Sequence, residues 1–239
     1  MFRNKVKTRT LNDDIRIASL LSFIEGIVNV AGFLAVQRLT TNVTGHFAFF
    51  IDEIYKLNFL QGFLYFLYIF SFFFGSFISN VMIELIARKN ELYIYIIPTI
   101  IESIILVTIP FFGRILITQN PNTVAFILLF AMGLQNSLVT TISKAKVRTT
   151  HLTGLFTDLG IEISQIFFYS KKEKKEKLYS SIKLRLIIIS FFFLGGVFGG
   201  VFYTFMQLYV LSLAGIILLM GTTYDYSRFK LIQLRRKFI

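Results

Sequence analysis

Six side chains capable of ionic or strong hydrogen-bond chemistry stand inside long apolar runs: Glu25, Asn29, Glu84, Glu102, Gln135 and Asn136. Glu25, Gly26 and Asn29 lie within about one helical turn and share a face. An ionised group at the bilayer centre costs roughly 2.5–3.5 kcal/mol on insertion scales, against about 0.3–0.6 gained per Leu, Ile, Phe or Val. One such group per helix is tolerable, but it needs a role. Residues of this kind face a bundle interior, where they serve ion, proton or solute pathways or hydrogen-bond between helices. Both roles stay open for Glu25, Asn29, Gln135 and Asn136, and the last two are expected to meet the Glu25 and Asn29 face. Glu84 precedes Arg88 by four residues, the spacing of an interfacial ion pair. For Glu102 the sequence shows no partner, and pathway and packing stay equally open.

A second polar set is repeated. Thr40 to Phe47 reads TTNVTGHF and Thr149 to Phe156 reads TTHLTGLF, each just after an apolar run. A Thr hydroxyl can cap a short helix, Gly permits backbone geometry that other residues resist, and the free N–H groups of the first turn attract an anion or polar solute. An ordinary cap at a chain reversal is the alternative. The candidate solute-binding residues are therefore Glu25, Asn29, Asn42, Thr44, Gly45, His46, Gln135, Asn136, Thr150, His151, Thr153 and Gly154.

Familiar catalytic chemistry is missing. There are no cysteines, which excludes disulfides, thiolate metal sites and Cys nucleophiles. His46 and His151 are the two histidines, and in inverted repeats they would face opposite sides, so no metal site is expected. No H-E-x-x-H, P-loop, G-x-S-x-G or Rossmann glycine pattern occurs. No catalytic residue and no cofactor is assigned, and the chain is read as not an enzyme.

The elements that carry these residues are apolar and long. The chain has 239 residues, 55% of them hydrophobic, with 29 Phe and a mean hydropathy of +0.68, too apolar for a soluble domain of this size. Six runs have spanning length: Ile17 to Val36, Leu60 to Ala87, Leu92 to Phe112, Val124 to Ser143, Leu184 to Tyr203 and Gln207 to Tyr224. A tight hairpin near Thr204 to Gln207 must separate the last two. The stretch from Ile17 is too long for a signal peptide and lacks a cleavage pattern, so it is read as a retained helix. With both termini cytoplasmic, 22 of the 25 Lys and Arg fall inside and only Arg38, Lys56 and Arg114 outside. The net charge of +12 is thus a topology signal for an inner-membrane protein, and no nucleic-acid partner is implied. Lys171 to Lys177, KKEKKEK, is read as a solvated loop that fixes orientation, with anionic lipid as the alternative ligand.

Internal similarity extends beyond the Thr-Gly blocks. Gly26-Ile27-Val28-Asn29 is echoed by Gly133-Leu134-Gln135-Asn136, and Glu53 and Glu162 follow their Thr-Gly pairs at equal distance. Ser71, Gly75 and Ser79, and the pairs Gly195/Gly199 and Gly196/Gly200, form small-residue rows that let helices approach closely. The expected fold is an all-α membrane bundle of six transmembrane helices. It divides into two three-helix repeats, residues 1–118 and 119–239, each with a short re-entrant or interfacial segment after its first crossing. Three crossings per repeat invert the second copy, a recurring transporter construction.

Gly26 to Leu34, Asn42-Val43-Thr44-Gly45, Gly133 to Asn136, Arg148 to Gly154 and Thr157 to Gly160 resemble the YoaK family of bacterial multi-pass membrane proteins, a domain of unknown function. The resemblance implies the architecture and leaves the activity open. The family pattern tends to have an acidic residue where this chain has Asn29, and Asn where it has His46. If the acidic residue couples protons in relatives, Glu25 is the group here that could replace it. The expected function is that of a small-solute secondary transporter or permease for a polar or anionic metabolite, and the reading admits a homodimer. A substrate-capturing or regulatory subunit acting with a partner is the alternative, with an intramembrane enzyme third.

Overall fold

The computed structural model describes residues 10–87, 96–143, 147 and 152–237. Over them the chain is all-helical: α1 Leu11–Val36, α2 Val43–Tyr55, α3 Phe59–Ala87, α4 Ile96–Gln119, α5 Pro121–Ser143, α6 Leu152–Phe168, α7 Lys172–Met206 and α8 Tyr209–Lys237. Arg88 and Lys89, the Lys144–Arg148 basic positions, Thr150 and His151 lie outside the described residues.

Local chemistry sets the helix ends. Thr10 caps α1 in a reciprocal box, its Oγ1 accepting from the Asp13 N–H at 3.3 Å while Asp13 accepts from the Thr10 N–H at 3.1 Å. The helix stops where Gln37 turns left-handed at φ 53°, and its N–H closes on the Phe33 carbonyl at 2.8 Å. Pro121 opens α5, at a position where its missing N–H costs nothing. Between α7 and α8 only Gln207, at φ 49°, and Leu208 intervene, so the hairpin lies beside the expected Thr204 to Gln207 segment.

α1, α3, the Ile96–Gly113 part of α4, the Pro121–Thr141 part of α5 and α7 are each long and apolar enough to cross a membrane. The apolar part of α8, Tyr209–Asp225, is shorter. The chain is a multi-pass membrane protein. α2 and α6 are short, at 13 and 17 residues. In α1 and α5, 61% and 67% of the apolar window is buried, against 22% in α3 and in α7. The first two are therefore central, and the other two turn Phe-rich faces outward, such as Phe63, Phe66, Phe70, Phe73 and Phe77 on α3.

The helices can be divided into two four-helix bundles, although α8 packs more extensively on α4, across that division, than on any helix of its own bundle. α2, α3, α4 and α5 pack together, and so do α1, α6, α7 and α8. Between the bundles the substantial contacts are α1 with α5 and α4 with α8. This grouping cuts across a division at residue 118, because α1 packs most extensively on α7, and α3 on α5.

Each of those two crossings is a close backbone approach built from one glycine on each helix. A Cβ on Gly26 would press on the Phe192 carbonyl, and one on Gly195 on the Phe23 carbonyl. Likewise Gly133 faces the Phe72 carbonyl, and Gly75 faces that of Phe130. In all four, the glycine follows by three residues the Phe whose carbonyl its partner faces. Contacts also fix direction. Phe23 meets Gly195 while Val30 meets Gly200, so α1 and α7 run parallel. α1 and α5 run antiparallel, since Gln135 meets Leu21 and Leu128 meets Gly32. α4 and α8 are antiparallel too, with Gly113 against Leu208 and Ser103 against Gly215.

Candidate functional site

Polar groups gather where the two bundles meet. Glu25 and Ser22 on α1, Gln135 on α5, and Thr99, Glu102 and Ser103 on α4 all have zero solvent exposure. The apolar stripe of α1 includes Ile17, Ala18, Leu21, Ile24 and Val28, and Ser22 and Glu25 interrupt it one turn apart. Gln135 Nε2 donates to the Leu21 carbonyl at 3.3 Å, the oxygen that the Glu25 amide faces along the helix. This bond ties the amide of α5 to the Glu25 turn of α1. From α4, Glu102 comes within electrostatic range of Glu25. Ser103 turns its hydroxyl inward to the Thr99 carbonyl at 2.8 Å.

Hydrogen-bonding capacity in this cluster is unbalanced. Both carboxyl oxygens of Glu102, the Gln135 Oε1 and the Ser22 Oγ have no hydrogen-bond partner among the described residues. Three of these four atoms are acceptors when Glu102 is ionised, and only the serine can donate. A buried polar atom left unsatisfied costs roughly 1–3 kcal/mol. The cluster is thus primed for whatever brings donors to it.

A second cluster sits where the chain leaves α1. The 37–42 loop folds back on the helix it has just left: Thr40 donates to the Val28 carbonyl at 3.1 Å and Thr41 to Asn29 Oδ1 at 2.8 Å. Asn42, not a threonine, caps α2, accepting from the Gly45 N–H at 3.1 Å. His46, 1% exposed, lies 2.6 Å from the Leu39 carbonyl through Nε2. A carbonyl can only accept, so Nε2 carries the proton and Nδ1 is left as an acceptor with no partner among the described residues. Burial holds the His46 pKa below its ordinary 6.5, the Leu39 bond partly opposing and the Arg38 charge adding to the effect. The ring packs on Tyr68 at 4.6 Å, and the Tyr68 hydroxyl donates to Asn122 Oδ1 at 2.6 Å, joining α2, α3 and α5.

The other short helix is held by charge. Arg185 on α7 grips Glu162 on α6 with Nε at 2.9 Å and Nη2 at 3.1 Å. Ser181 donates to the same carboxylate at 2.6 Å, and Asp158 lies 2.9 Å from Arg185 Nη1.

Among the residues singled out in the sequence, Gln135 is brought to the turn of α1 that holds Glu25, and Glu102 comes within electrostatic range of Glu25. Asn29 faces the 37–42 loop instead, and Asn136 donates back to the Met132 carbonyl of its own helix at 3.0 Å. Asn42, Thr44 and Thr153 are exposed, while Gly45 and Gly154 are half-buried. A Cβ on Gly45 would collide with Leu39. Glu84 is exposed. Sequence reasoning passed over Ser22, Arg38, Tyr68, Asn122 and the Asp158–Glu162–Arg185 network. For the last, the available signal was an arginine one residue inside an apolar run.

A model of a family described as protein of unknown function (DUF1275) matches residues 17–224. No curated protein and no solved structure matches the chain.

Proposed function

The chain belongs to the DUF1275 family of proteins of unknown function, and we propose that it is a secondary transporter, or permease, for a small polar or anionic metabolite, working by rocking of one four-helix bundle against the other. The observation that carries this is the position of the buried polar cluster. Ser22, Glu25, Glu102 and Gln135 lie on α1, α4 and α5, closed off from solvent. A binding site at that place is opened by relative motion of the bundles and needs no unfolding of either.

Several features support the finer layout. Leu208 lies beside Gly113 and Gly221 beside Leu20, so α8 traverses the bundle over about 20 Å and serves as a sixth crossing despite its shorter apolar part. Parallel α1/α7, antiparallel α1/α5 and the matched glycine crossings fit two inverted repeats, residues 1–118 and 119–239, that exchange their first helices. The distribution of Lys and Arg favours cytoplasmic termini in the cell membrane. The likeness to the YoaK family belongs to the same proposal. Six crossings give few helices to enclose a path, which favours a homodimer. The protein acts as a carrier in this scheme and not as an enzyme, and no cofactor enters it.

Uptake into proteoliposomes across a metabolite library tests the proposal. Wild type should carry at least one solute, and Gln135→Leu should lower that flux more than tenfold without loss of fold. Wild-type flux no greater than that of empty vesicles for every solute would refute the carrier.

A further inference from the structure

We propose that Glu102, buried on α4 where that helix packs against α5 and α8, is the proton-binding site that couples this carrier to a proton gradient. The inference rests on the carrier proposal and adds its driving ion. Three observations on separate helices bear on it. Glu102 is fully buried on α4 with both carboxyl oxygens lacking a hydrogen-bond partner among the described residues. Gln135 on α5 is equally buried, is fixed through its Nε2 to the turn of α1 that holds Glu25, and keeps Oε1 without a partner. Ser22, one turn from Glu25 on α1, has an unpartnered hydroxyl in the same interior.

Chemistry then selects the ligand. With Glu102 ionised, acceptors outnumber donors among these unpartnered atoms. A proton on Glu102 converts one acceptor into an O–H donor and removes a charge from a low-dielectric interior. It is taken from water on one side and returned to water on the other when the bundles rock, so nothing else is consumed. An anionic solute would enter this acceptor-rich space only in company with such a proton. An anion–proton symporter is therefore the form of carrier that this interior fits.

The surroundings of Glu102 offer no competing charge among the described residues. α8 meets α4 through Gly215, against Ser103, Val107 and Leu106, and through the uncharged Ser212 hydroxyl, which donates to the Val107 carbonyl at 3.1 Å. From α3, Glu84 is exposed. From α1, Glu25 is the group that acts on Glu102, and Asp14 lies three turns farther along the same face, about 16 Å by helical rise.

Infrared difference spectroscopy of the full chain in lipid reads the site directly, whether or not a solute is known. A step in pH should produce the C=O stretch of a protonated, non-aqueous carboxyl in wild type. Glu102→Gln should lose that band, Glu102→Asp should keep it at a displaced pH, and Glu84→Gln should leave it unchanged. Thermal unfolding of each variant establishes that it is folded. A wild type without such a band, or a band that survives in Glu102→Gln, overturns the proposal. So does a cluster that responds to sodium and not to pH. A band with the expected behaviour and no solute flux would keep the proton site and remove the carrier; flux without the band would do the reverse.

Discussion

Replacing Gly26 by alanine tests whether the bundles are held by backbone contact. The new Cβ would stand 2.7 Å from the Gly196 nitrogen and 3.0 Å from the Phe192 carbonyl carbon. Carbon contacts are most favourable near 3.5–4.0 Å, so α1 and α7 must part by about 0.8 Å or more. Overpacking of this kind costs typically 1–3 kcal/mol. Here the obstacle is backbone, which cannot rotate away, so the upper half of that range applies. Alanine returns about 1 kcal/mol in helix propensity, leaving a net loss of about 1–2 kcal/mol. Gly160→Ala on α6 is the control, because a Cβ there meets nothing within 4 Å; it should gain up to about 1 kcal/mol. The assay is reversible denaturant titration in mixed micelles. Gly133→Ala, at the matching crossing of α5 and α3, should lose a similar amount. Gly26→Ala combined with Gly195→Ala should cost less than the sum, since the first substitution already separates the helices, whereas Gly26→Ala with Gly133→Ala should add. Equal stability of Gly26→Ala and Gly160→Ala, or full additivity within one crossing, would refute the close-approach geometry.

The second short helix and the buried histidine give two more expectations. Arg185→Met removes the grip on Glu162, at 15% side-chain exposure, and should cost roughly 1.5–3 kcal/mol, with faster hydrogen exchange across α6 and none added in α2; an α6 that stays protected would show that apolar contacts suffice. His46 binds its proton less readily folded than unfolded, so its contribution to stability is complete above the usual 6.5 and is lost as pH falls through its lowered folded value. The melting temperature of wild type should therefore drop more steeply below pH 6.5 than that of His46→Gln, and parallel curves would contradict the burial of a neutral ring.

What the sequence made legible follows from which signals are local. Apolar length marks a helix whether or not its neighbours are known, so the runs around α1, α3, α5 and α7 could be read directly. The echo of Gly26 by Gly133 was visible as well, but not that each would meet a helix of the other repeat. That pairing depends on contacts between residues such as Phe23 and Gly195, far apart along the chain. Capping of α2 was expected from threonine and is done by Asn42, whose shorter reach to the Gly45 N–H competes well at an N-terminus. Glu102 could not be placed from its own helix, because its meaning comes from Glu25 on another. Arg185 entered the charge count as a marker of sidedness, and its fork around Glu162 needed α6 laid against α7.

The crossing of α1 with α7 bears on how the protein is made. Gly26 and Gly195 are separated by 169 residues, the difference of their positions. At roughly 5–20 residues per second the ribosome needs about 10–30 s to deliver the second after the first. During that interval α1 has neither α7 against its glycine face nor, at first, α5 beside Glu25. The apolar residues of α1 hold it in lipid despite that carboxyl, so it waits there with its glycine face open until its later neighbours emerge. The α1–α7 crossing is consequently a late step of assembly, formed after α3 and α5 can already have met.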